Sequence, residues 1–92
     1  MGNRNHGLNV LGSNVRKRRE EKELTQEALA ERANLDPTYI SGIERGKRNP
    51  SVLSVLRIAK ALGVTTSSLL DKVDDHASSN GAPKAGTVKP RI

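Results

Sequence analysis

Cysteine, phenylalanine and tryptophan are absent from this 92-residue chain, and Tyr39 is its one aromatic side chain. Without cysteine there is no disulfide, no thiolate metal ligand and no sulfur nucleophile, a usage that fits a reducing compartment. Without large rings, any core must be aliphatic and small. Histidine is scarce too: His6 and His76 lie near opposite ends in polar surroundings. That placement speaks against a metal site or imidazole-based catalysis, so no metal and no other cofactor is expected. No apolar run approaches the ~20 residues of a membrane-crossing helix. Met1-Gly2 lacks the Ser or Thr at position 6 that a myristoylation signal carries, and no apolar stretch follows Arg4 as it would in a signal peptide. The expected location is the cytoplasm, with no membrane partner.

Positive charge is plentiful. Lys and Arg number 16 against 10 Asp and Glu, a net charge of +6. Acidic partners, nucleic acid above all, are the first expectation from such a balance. The length allows one small domain. Residues 1–7, polar and with two glycines, read as a loose arm, and residues 73–92, rich in Ser, Gly, Ala, Pro and Lys without helical spacing, as a disordered tail. The folded domain is expected over residues 8–72, which carry 12 basic and 8 acidic side chains.

Within residues 8–72 the apolar side chains recur at helical spacing between short polar joints, which predicts five helices. Leu8, Leu11 and Val15, extended by the stem of Arg18, form a stripe running to about Glu23. Thr25 offers a capping hydroxyl to a second helix of about two turns, with Ala28, Leu29, Ala30 and Ala33 following. Asp36 and Pro37 open a third, with Ile40 and Ile43 inward, running to about Arg45 before Gly46 ends it. Ser51 caps a fourth, whose inner face is read as Val52, Val55, Leu56, Ala59 and Leu62, with Gly63 as its stop. A short fifth spans about Thr66 to Asp71. No alternating strand pattern and no internal repeat occurs, so the fold class is all-α. Two short helices on a three-residue joint make a helix-turn-helix, which leaves the second helix protruding.

The run LTQEALAERANLDPTYISGIERGKRNPSVLSVLRIAKALGV, Leu24 to Val64, resembles the lambda-repressor-like helix-turn-helix family, also called the XRE family. The likeness rests on Thr25-Gln26, Leu29-Ala30, Ile40-Ser41, Ile43-Glu44, Gly46, Pro50, Ile58-Ala59 and Ala61-Leu62-Gly63, and covers about residues 8–71. The ISGIERGKRNPS portion is also similar to the controller proteins of restriction–modification systems. The resemblance implies a compact five-helix domain whose third helix enters the DNA major groove while the second lies across the backbone. It further implies two copies on a near-palindromic operator.

An α-helix fits the major groove, where each base pair shows a distinguishable pattern of donors and acceptors. With Ile40 and Ile43 inward, Thr38, Tyr39, Ser41, Gly42 and Arg45 are the expected base-facing residues. Thr38 and Ser41 can bond a base edge, and Tyr39 offers a phenol and a flat face. Arg45 suits either guanine or a phosphate, and Gly42 allows close backbone approach. Pro37 stands where many relatives carry a polar reader, and cannot hydrogen-bond a base. The resemblance implies that Gln26 bonds a phosphate, at a helix amino terminus whose free amides already favour an anion; Lys47, Arg48 and Asn49 are expected on the backbone, with Arg16 and Lys17 adding charge. The resemblance pairs Arg19 with Glu44 between the first and third helices.

Blander readings stand beside these. Arg16 to Arg19 also reads as a solvated face neutralised by Glu20, Glu21 and Glu23, and Tyr39 as a core tyrosine. Leu53, Val64, Leu69 and Leu70 are read as a homodimer contact, or else as one further layer of monomer core. The favoured function is a dimeric, sequence-specific DNA-binding transcriptional regulator without chemistry of its own. Other readings are an antitoxin-type autorepressor with a protein toxin partner and an adaptor that binds protein rather than DNA; RNA polymerase is a further candidate partner. An enzyme is disfavoured because no acid pair, nucleophile–base set or phosphate-cradling glycine loop occurs.

Overall fold

The computed structural model describes residues 6–74. It holds five helices: α1 (His6–Glu21), α2 (Gln26–Ala33), α3 (Pro37–Glu44), α4 (Val52–Leu62) and α5 (Thr66–Leu69). Strands are absent among the described residues.

The joints obey local chemistry. Thr25 accepts a hydrogen bond from the Ala28 amide, Asp36 from Thr38, Ser51 from Ser54 and Thr65 from Ser68, each cap satisfying an amide that the first helical turn leaves free. Pro37 occupies the first turn of α3, where its missing N–H costs no bond. At the far ends Asn34 closes α2 and Gly63 closes α4 in the left-handed conformation.

Amphipathic faces then meet in one aliphatic core: Leu11 and Val15 of α1, Leu29, Ala30 and Ala33 of α2, Ile40 and Ile43 of α3, Val55, Ile58, Ala59 and Leu62 of α4, and Leu69 of α5. Helix α2 packs on both α3 and α4, and α1 packs on α3. The α1–α3 approach is close because Gly12 has no side chain; a Cβ there would collide with the carbonyl oxygens of Ile43 and Glu44. Asn14 ties the end of the domain to α1, its amide nitrogen donating to the Leu69 carbonyl at 2.8 Å and the Asp71 carbonyl at 2.9 Å.

The structure corrects several expectations. Residues 6 and 7, assigned to the arm, begin α1, and Val73, assigned to the tail, packs against the core. Residues 1–5 and 75–92, His76 included, lie outside the described residues. In α4 the inner face turns on Ser54 and Ile58 as well as Val55, Ala59 and Leu62, whereas Val52 and Leu56 are exposed. Leu69 is wholly buried within the monomer and offers no open contact, whereas Val64 packs half-buried against the core and keeps part of its surface open. For Leu69 the further core layer is the correct reading.

Candidate nucleic-acid interface

Helix α3 is held from behind by Ile40 and Ile43, both fully buried, which fixes the roll of its outer face. Thr38 and Arg45 lie exposed on that face and Ser41 is half-buried. Thr38 sits in the first turn, anchored through its amide by the Asp36 carboxylate at 2.7 Å. Arg45 terminates the helix. Gly42 is not on the open surface as expected. It is buried, and the stem of Arg48 lies where its Cβ would be.

Tyr39 also departs from expectation. It is half-buried against the core, and its hydroxyl donates to Ser54 Oγ at 3.3 Å. One face of its ring carries the Arg48 guanidinium, 4.9 Å from the centroid. The phenol is thus bonded to Ser54, and one face of the ring is covered by an exposed arginine. A partly buried hydroxyl needs a partner, and Ser54 supplies it.

Behind α3 lies a charged brace. Arg19 Nε donates to Glu44 Oε2 at 2.7 Å and Arg19 Nη2 to Glu44 Oε1 at 3.0 Å, a two-pronged pair linking α1 to α3. Arg19 Nη1 also donates to the Leu24 carbonyl at 2.8 Å, and Gln26 Nε2 to Glu44 Oε1 at 3.0 Å. The Glu44 side chain is 3% exposed and that of Arg19 12%. Hydrogen bonding to Glu44 raises the Arg19 pKa above the ordinary guanidinium value, against the opposing effect of burial. Stability from a raised group is present below its unfolded value. The brace is therefore not weakened by deprotonation of Arg19 near neutral pH. Gln26, expected on a phosphate, spends one amide hydrogen on Glu44 and keeps the other.

Charge around this face is unevenly committed. Lys47, Arg48 and Asn49 are exposed after α3. In α1, Arg16 pairs with Glu20 at 3.0 Å and Arg18 with Glu21 at 3.4 Å, so much of that basic run is neutralised along its own helix. Lys17 is exposed. Sequence reasoning missed Ser54, whose polar side chain hides on an apolar face. Its position three residues after a capping serine was the available signal. It also passed over Arg32, Arg57 and Lys60, which with Asn34 line a shallow depression of about 360 Å³ between α2 and α4. No helix of the described residues is long and apolar enough to cross a membrane, and no cluster of metal-ligating side chains occurs among them.

A core-fixed helix standing proud of a brace, with cationic side chains following it, defines the helix-turn-helix class. Residues 15–69 match the family model described as Helix-turn-helix, and the chain belongs to that family of transcriptional regulators. It is 41% identical over 66 residues to the uncharacterized HTH-type transcriptional regulator y4dJ of Sinorhizobium fredii, covering 72% of this chain and 86% of that protein. Control protein C.BamHI of Bacillus amyloliquefaciens is 48% identical over 63 residues, covering 67% of this chain and 78% of its own. The crystal structure of the restriction–modification controller protein C.AhdI from Aeromonas hydrophila superposes with a TM-score of 0.67 at 40% identity, over 67% of this chain and 94% of that one.

Proposed function

We propose that the chain binds duplex DNA as a homodimer and regulates transcription by occupying a near-palindromic operator, in the manner of a restriction–modification controller. The observation that carries this reading is the exposed outer face of α3, with Thr38, Ser41 and Arg45 available and Ile40 and Ile43 locked behind it. Thr38 and Ser41 bond base edges, and Arg45 takes either a guanine or a phosphate. Lys47, Arg48, Asn49, Lys17 and the second amide hydrogen of Gln26 hold the backbone and set register. The regulator needs no cofactor and no catalytic step, and works in the cytoplasm.

Dimerisation rests on Val52, Leu53, Leu56 and Leu70, which are 75%, 57%, 46% and 42% exposed. Val52 and Leu70 also line an apolar groove of about 470 Å³ with Leu8, Leu11, Val55 and Val73. A second copy covers such a surface through a two-fold contact and sets its reading helices about 34 Å apart, one turn of DNA.

Titration of a fluorescent promoter duplex from upstream of the gene tests the reading. Affinity falls steeply with added salt, and Thr38→Ala, Ser41→Ala and Arg45→Ala each weaken specific binding by about 5- to 100-fold. Equal affinity for promoter and scrambled duplexes at every salt concentration would contradict it.

A further inference from the structure

Arg48 follows α3 in a loop, where an arginine ordinarily samples many rotamers. Here three features converge on it. Its stem lies over Gly42, in space that any larger residue would fill. Its guanidinium stands over the Tyr39 ring, 4.9 Å from the centroid. Its backbone amide donates to the Gly42 carbonyl at 3.2 Å, beside that of Lys47 at 2.8 Å. Tyr39 is itself fixed, because its hydroxyl donates to Ser54 Oγ, which also receives the Ser51 hydroxyl at 3.0 Å. A chain of contacts thus runs from the cap of α4 through Tyr39 to the Arg48 guanidinium, and Tyr39 and Arg48 line an open recess with Asp36 and Thr38 beside the start of α3.

We propose that Gly42 and Tyr39 form a seat that holds Arg48 in its DNA-binding orientation before DNA arrives, making them positioning residues for this arginine rather than readers of bases. The inference rests on the DNA-binding reading above and adds to it the source of Arg48 order. A planar guanidinium over an aromatic face remains free to donate in its plane, so the stack fixes its direction without consuming its donors. Ordering the side chain beforehand removes part of the entropy cost of binding.

Gly42→Ala is the clean probe. It adds one methyl in the place of a flexible stem, inside a helix where alanine is the better former. In the free protein, NMR of the wild type shows the Arg48 δ-protons shifted upfield by the Tyr39 ring; Gly42→Ala abolishes that shift at an undiminished melting temperature. On the promoter duplex it lowers affinity about fivefold, the worth of one cation–π contact. In an Arg48→Ala background the same change has no further effect. Tyr39→Leu, which keeps apolar bulk and removes the ring, reproduces the loss. Unshifted Arg48 protons in the wild type overturn the seat, as does a Gly42→Ala penalty that persists without Arg48, because the methyl would then be meeting DNA itself. A wild type that shows the shift but binds no duplex overturns instead the DNA-binding reading and, with it, the role given to the seat.

Discussion

Glu44 receives three hydrogen bonds, two from Arg19 and one from Gln26, in a side chain almost closed to solvent. Removing a partner from such a pair leaves the other charge uncompensated, which is far costlier than losing an exposed pair. Glu44→Ala is expected to lower the unfolding free energy by about 3 kcal/mol in urea titrations. A loss under about 1 kcal/mol would mark the pair as an ordinary surface contact. Arg16→Ala, which breaks a pair that is more than half exposed, should change stability by no more than about 0.5 kcal/mol. The residue scale is also where sequence reading reached its limits. Tyr39 and Gly42 each adjoin an inward isoleucine on a short helix, so spacing alone places them outside. Gly42 is covered by a segment that folds back after Gly46 and brings Arg48 over it, and Tyr39 is held between that arginine and the core beside Ser54. No local pattern announces that return.

At the scale of elements, the boundaries were legible because caps act within a few residues. Thr25, Asp36 and Ser51 each bond an amide two or three positions ahead, and Pro37 and Gly63 carry their own backbone preferences. The inner face of α4 was less so. A pattern of apolar spacing admits Val52 and Leu56 and rejects Ser54, yet Ser54 is buried because Ser51 and Tyr39 meet its hydroxyl. A buried polar group is tolerated once bonded. Ser51 therefore serves two structures, the α4 cap and the Tyr39 link. Ser51→Ala is expected to cost about 2 kcal/mol, against about 1 kcal/mol for Asp36→Ala, which loses a cap alone. Chemical denaturation of the two variants side by side checks the order, and an Asp36→Ala penalty exceeding that of Ser51→Ala would contradict the double role.

Across the whole molecule, the contacts that sequence reading could not place are those of greatest separation. Asn14 reaches Leu69 and Asp71 across 55 and 57 residues, which pins α5 under α1 and takes Leu69 out of reach of any second copy. What remains outside is Leu53, Leu70 and their exposed apolar neighbours. This division separates folding from assembly. Leu53→Asp with Leu70→Asp should yield a folded monomer in sedimentation equilibrium, with helical content retained and operator affinity reduced by about 100-fold or more, since the linked second half-site is lost. Leu69→Asp should instead abolish the folded state, because it buries a carboxylate without a partner. A Leu53→Asp, Leu70→Asp protein that stays dimeric would move the two-fold contact elsewhere.

Selection of bound duplexes from a random pool, run with the wild type and with Ser41→Ala and Arg45→Ala, tests most directly whether α3 reads the major groove. A consensus with two-fold symmetry, its half-sites about one helical turn apart and altered at defined positions by each substitution, is the predicted result. A featureless pool, or a consensus indifferent to both substitutions, would contradict it.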